Sequence, residues 1–135
     1  MKPTFTELAA ELDRTIAEHD RIEKAEAATE QPNNLDRAKD DAYERIGELK
    51  AALSRLPVTS ASDAMVAIAL ASSTLNVIAT SIIDEREQAG LERQAQRLLY
   101  AAVDFIGESG ADMPPNVRGY FFSGNTDPRK LQNAA

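Results

Sequence analysis

From Ala64 to Ile83 the chain runs for 20 residues without a charged side chain, between segments that are charged and periodic. A run of that length must be covered by lipid or by protein, so its covering constrains the fold more than any other feature. Six of its 20 residues are polar (Ser72, Ser73, Thr74, Asn76, Thr80 and Ser81) and five are alanine, which contributes little to partitioning into a bilayer. Asp63 precedes it and Asp84-Glu85-Arg86-Glu87 follows it, so neither flank carries the Lys/Arg excess that orients a membrane span. The expectation is therefore no membrane span, but a helix that protein buries over most of its circumference.

Three rows run along that helix. Met65, Ile68, Leu75, Ile78 and Ile82 make one apolar face, and Val66, Leu70, Val77 and Ile83 another. The third row, Ala64, Ile68, Ser72, Asn76 and Thr80, steps by four and is mostly small. Hydroxyls within it can bond the carbonyl four residues back. A buried Asn76 amide needs partners or costs about 1–3 kcal/mol. It would find them inside the chain, or across a two-fold axis from its own copy. Ser72, Asn76 and Thr80 are thus candidate interface residues.

Upstream, two amphipathic patterns predict helices over about 4–29 and 35–56. In the first, Phe5, Leu8, Leu12, Thr15/Ile16, His19 and Ile22 recur at steps of three and four, a narrow seam among charged neighbours. Thr4 or Thr6 serves as N-cap, and Glu7 completes a capping box with Thr4. Glu18 and Arg21, three apart, can pair. Pro32 interrupts the pattern, and Asn33 or Asn34 caps the second helix. The second stripe is Leu35, Ala38, Ala42, Ile46, Leu49, Leu53 and Leu56. One short connection between two stripes of similar length predicts an antiparallel helical hairpin.

Ser60-Ala61-Ser62-Asp63 reads as a capping box that opens the uncharged helix, expected over about 61–88. Gly90 marks a break, and a fourth helix over about 91–107 carries Leu91, Ala95, Leu98, Leu99, Ala102, Phe105 and Ile106 before Gly107 and Gly110 stop it. Beyond it, Pro114-Pro115, Gly119, Gly124 and Asp127-Pro128 forbid a long helix. The fold expected is all-α: an N-terminal antiparallel hairpin packed on a central apolar helix and a fourth helix (residues 1–113), with an irregular C-terminal strap (residues 114–135). The end of the chain, from Asn125, is expected to fray.

Charge and composition narrow the function. With 15 Lys+Arg against 22 Asp+Glu the net charge is −7, which argues against direct nucleic-acid binding. No cysteine is present, which removes disulfides, thiolate catalysis and zinc–cysteine sites. A cytoplasmic location is expected, and the first residues lack the apolar stretch of a signal peptide. His19, the one histidine, has Glu23 four residues on but no cleft, and reads as a half-buried seam residue. Asp40, Asp41, Glu44 and Glu48 lie off the apolar stripe, and no Glu-x-x-His step accompanies them, so a solvated face is expected rather than a metal centre. Asp84, Glu85 and Glu87 beside Arg86 are expected to end the core helix. No glycine pattern forms a phosphate-binding loop, and no serine has a base at usable spacing. No catalytic residue, metal site or cofactor is therefore assigned.

The aromatic residues concentrate late in the chain. Tyr100, Phe105 and the triplet Tyr120-Phe121-Phe122 make five of the seven. The triplet either folds back as a strap or presents a docking patch.

Ala10-Glu11-Leu12 in the charged first helix, the polar gap, and Leu53-Ser54-Arg55-Leu56-Pro57-Val58-Thr59-Ser60 before a small-residue helix carry a resemblance. Over residues 7–80 the chain resembles small helical-hairpin proteins of alphaproteobacteria, often encoded in prophage or other mobile-element regions. Ala61-Ser62-Asp63 departs from the glycine-containing continuation of that group. The resemblance implies a bacterial or phage accessory protein and transfers no activity.

The leading expectation is a non-enzymatic interaction or regulatory protein. It would be a homodimer with a further protein partner, working through its acidic hairpin and aromatic segment. Two alternatives stand beside it. One is an acidic inhibitor occupying the basic channel of a nucleic-acid-binding enzyme. The other is a small-molecule sensor with a pocket lined by Ser72, Asn76, Tyr100 and Phe105.

Overall fold

The four long amphipathic or apolar patterns all form helices. The computed structural model describes residues 2–30, 33–122 and 127–130, the side chains of Asn33 and Asn34 excepted. Its elements are α1 (Phe5–Ala27), α2 (Asn33–Leu53), α3 (Ala61–Thr80), α4 (Glu85–Glu108) and α5 (Pro115–Phe121), with no strand among the described residues. The chain divides into two compact units, Met1–Leu53 and Ser54–Ala135.

In the first unit α1 packs along α2. α1 begins as its sequence requires: the Thr4 hydroxyl accepts from the Glu7 amide at 3.2 Å, and the Glu7 carboxylate accepts from the Thr4 amide at 3.3 Å. Phe5, Leu8, Leu12 and Ile22 are buried. Of the pair Thr15/Ile16, Thr15 takes the half-buried place, its hydroxyl donating to the Glu11 carbonyl at 2.8 Å, while Ile16 is exposed. On α2 the buried residues Ala42, Leu49 and Leu53, with half-buried Ile46 between the first two, continue a step of three and four whose earlier member is Lys39, not Ala38, which is exposed. The Lys39 ammonium reaches Glu26 on α1 at 2.9 Å, and Arg45 reaches Glu11 at 2.5 Å. These ion pairs cross between the helices and flank the aliphatic seam. α2 ends at Leu53, three residues short of the expected Leu56. α2 also begins earlier than expected, at Asn33, so Asn33 and Asn34 lie within the helix rather than capping one that starts near residue 35. The expected break at Pro32, and most of the expected C-terminal fraying, lie outside the described residues.

In the second unit α3 packs against α4. Ser60 caps α3, its hydroxyl accepting from the Asp63 amide at 3.0 Å. Three expectations are corrected here. The uncharged helix stops at Thr80 rather than near residue 88, the break falls at residues 81–84 rather than at Gly90, and the fourth helix runs from Glu85 to Glu108 rather than over 91–107. The cause is the acidic cluster. Asp84 is an N-cap, its carboxylate accepting from the Glu87 amide at 2.7 Å, and Glu85 and Glu87 occupy the first turn, where the helix dipole favours negative charge. The cluster thus starts a helix instead of ending one, and Gly90 lies inside α4 with open space around it. At the other end Gly110 takes a left-handed conformation (φ +104°) just past the cap residue Ser109, the place where glycine ends helices without strain.

The C-terminal segment is also more regular than expected. Pro115 sits at the first position of α5, where a missing amide proton costs nothing and a fixed φ suits the helix. The helix is one of seven residues, so the exclusion of a long one holds.

The largest correction concerns α3. Its buried residues are Asp63, Ala64, Ala67, Ala71 and Thr74, and its large side chains Met65, Ile68 and Leu75 are exposed, Met65 by 72% and Leu75 by 47%. The expected burial over most of its circumference is therefore not found. Ala67 and Ala71 are fully buried on α3, and the buried residues of α4, the helix packed against it, are Ala95, Arg97, Leu98, Ala101 and Ala102. Small side chains on both helices let the backbones approach closely. The packing that results needs only the alanine edge of α3 and leaves its bulky residues outside.

Candidate functional site

Three neighbourhoods hold side chains that could do more than support the fold. The first is the outward face of α3. Met65, Ile68, Ser72, Leu75 and Ala79 are all exposed and step by 3, 4, 3 and 4. That is the heptad spacing of a helix that meets another helix. Ser72, Asn76 and Thr80, the candidate interface residues, lie on the same exposed side. Asn76 is therefore solvated and carries no burial cost, contrary to expectation. Thr80 donates its hydroxyl to the Asn76 carbonyl at 2.7 Å, and Thr74 to Leu70 at 2.9 Å, the back-bonding that the sequence suggests. No charged side chain interrupts the strip between Met65 and Thr80.

The second is the aromatic triplet, which divides. Phe122 is half-buried and meets Tyr100 of α4 edge-on, with ring centroids 5.1 Å apart. Tyr120 and Phe121 point outward, 83% and 66% exposed, and touch each other at 5.0 Å. One residue of the triplet is a strap and two form a small aromatic patch. The Arg129 guanidinium lies 5.6 Å over the Tyr100 ring and forks onto the buried Asp127 at 2.6 Å, with Asp104 also at 2.6 Å. That arrangement ties residues 127–130 to α4. Of the expected sensor lining, Ser72 and Asn76 stand open on α3, while Tyr100 is engaged by Phe122 and Arg129.

The third is a cavity of about 220 Å³ lined by Ser54, Arg55, Leu56, Pro57, Arg97, Ala101 and Arg129. Arg97 is buried, and its Nη2 donates to the Ser54 hydroxyl at 3.1 Å. The sequence reading missed it. The available signal was the pair Arg93 and Arg97, like charges four apart with Arg97 beside the apolar row of α4.

His19 is half-buried as expected, 4.0 Å from Glu23 and tilted against the Tyr43 ring at 6.3 Å. His19, Asp20 and Glu23 bring ligand atoms within 4.8 Å of one another, but Asp20 and Glu23 stand on an open helix surface. Glu44 and Glu48 are exposed, Glu48 pairing with Arg45 at 3.2 Å, in keeping with a solvated face.

α3 is also long and apolar enough to cross a membrane, with a mean hydropathy of 1.4 in its most apolar window, a third of which is buried. The chain matches no protein-family model, none of the curated proteins and none of the solved structures.

Proposed function

We propose that the protein is a non-enzymatic interaction module that pairs with a second copy of itself through the outward face of α3. The observation that carries this reading is the exposed, uncharged heptad strip Met65, Ile68, Ser72, Leu75 and Ala79. Large side chains (Met65, Ile68, Leu75) are interspersed with small ones (Ser72, Ala79) along it, which gives a partner helix both knobs and gaps to pack into. A two-fold axis would bring the same strip from both copies together with no charge to desolvate.

Charge favours a second copy over a lipid surface. The net charge of −7 repels anionic bilayers, and neither end of α3 supplies a cluster of Lys or Arg to hold headgroups. Insertion would also separate α3 from α4, or carry Glu92, Arg93, Arg97 and Asp104 of α4 into hydrocarbon, which is costly for each charge. A single helical strip about 21 Å long and one helix face wide buries less than the roughly 800 Å² per partner of a standard stable interface. The pairing is accordingly reversible, with a dissociation constant on the order of micromolar.

Light scattering between about 1 μM and about 1 mM, the range in which such an interface dissociates, tests this. The mass should rise toward twice the chain's 14.7 kDa. The double variant Ile68→Glu/Leu75→Glu should remain folded by circular dichroism and stay at the single-chain mass. A wild-type protein that stays monomeric throughout, or that floats with neutral phosphatidylcholine vesicles instead of pairing, overturns the proposal.

A further inference from the structure

Arg97 is the most deeply buried charge in α4, with 6% of its surface exposed. A guanidinium stays protonated under all ordinary conditions. Its only hydrogen bond among the described residues is to a neutral group, the Ser54 hydroxyl, and its Nε is buried with no partner. No carboxylate pairs with it among the described residues. Burial, and then the neighbouring charges of Arg55 and Arg93, work against its charged form. A desolvated cation without a counter-charge is among the costliest features a fold can hold.

The same side chain lines the 220 Å³ cavity, and the other walls are informative. Arg55 and Arg129 add positive charge, Ser54 adds a hydroxyl, and Leu56, Pro57 and Ala101 supply an apolar side. Arg129 is already neutralised by Asp104 and Asp127, which leaves the charge at Arg97 uncompensated among the described residues. In a chain of net charge −7, a positive cavity runs against the overall field and is therefore a local, specific feature.

We infer that this cavity is a binding site for a small anion, a carboxylate or phosphate group on a short apolar body, whose charge is met by the guanidinium of Arg97 where it lines the cavity. The planar N–H donors of a guanidinium suit either group. The cavity volume admits the head group and a few carbons, and the Leu56, Pro57 and Ala101 wall would cover them.

The test uses the whole chain and three sodium salts at matched ionic strength: phosphate, butyrate and chloride. A ligand that binds only the folded state raises the melting temperature, so phosphate or butyrate at about 20 mM should raise it by about 3–5 °C over chloride. Which of the two does so identifies the head group, and Arg97→Met should abolish the response. Should Arg97→Met fail to fold, the side-chain Nε–H resonance of Arg97 in the wild type decides, since it must shift on titration with the effective anion. Equal melting temperatures in all three salts, an undiminished response in Arg97→Met, or an unmoved Arg97 resonance would each overturn the inference.

Discussion

The two helical hairpins solve the same packing problem with opposite residues. Between α1 and α2 the large side chains Phe5, Leu8, Leu12, Ile22 and Leu49 are buried, and charges cover the outside. Between α3 and α4 the α3 side of the seam is Ala64, Ala67, Ala71 and Thr74, while Met65, Ile68 and Leu75 face out. The helix with the most apolar sequence is thus not the one whose large apolar residues are best buried. Apolar content sets how much surface needs covering. Side-chain size decides which face an adjacent helix takes, because a smooth alanine edge lets two backbones approach where bulky residues hold them apart.

The sharpest way to break that contrast is to shorten large core residues in both hairpins. Leu12→Ala in α1 and Leu98→Ala in α4 should each cost about 2–5 kcal/mol in urea unfolding, whereas Ile68→Ala on the outward face should change the monomer by less than about 0.5 kcal/mol. A large monomer loss at Ile68 would mean that its side chain is a core residue after all. Enlarging the alanine edge is the converse test. Ala71→Leu should cost about 1–3 kcal/mol by overpacking against α4, although the same change would be harmless in a helix that turned its large side chains inward.

Two glycines sharpen the account of where the second hairpin begins and ends. Gly110→Ala places a side chain at φ +104° and should destabilise by about 1 kcal/mol. Gly90→Ala should stabilise by about 0.5–1 kcal/mol, since Gly90 is mid-helix and an added Cβ meets nothing within 4 Å. Destabilisation at Gly90 would restore the break once expected there. The smallest effect is a pH dependence. The Arg129 hydrogen bond holds the Asp127 carboxyl below its ordinary 3.8. Its contribution is therefore present above that value and fades as pH falls through the lowered one. Acid unfolding followed by circular dichroism should be shallower for Asp127→Asn in that range.

Much of the fold was legible because its signals are local. Thr4 and Glu7, the 3–4 spacing from Phe5 to Ile22, and Ser60 before an uncharged run each specify an element within a few residues. Asp84 with Glu87 is an equally local signal, but beside an apolar run its charges read as the end of one helix rather than the cap of the next. Pro115 was read as a breaker, although proline suits a first helical turn. The orientation of α3 was not local information at all. Both the alanine edge and the Met65–Ile68–Leu75 edge have helical spacing, and only the alanine row of α4 selects between them. Of the candidate residues, Ser72, Asn76 and Thr80 do share one exposed strip, while Phe122 parts from Tyr120 and Phe121 because Tyr100 holds it. Arg97 went unread because a charge on an amphipathic helix ordinarily finds solvent.

The chain contains no cysteine, so single thiols can be placed without background. The rate of thiol labelling at Met65→Cys and Leu75→Cys, against Ala67→Cys and Ala71→Cys, followed from dilute to concentrated protein, tests both the orientation of α3 and its pairing. The outward positions should label quickly when dilute and become protected as concentration rises, while the alanine positions stay protected throughout. Fast labelling at Ala67 and Ala71, or outward positions whose rates ignore concentration, would contradict the account.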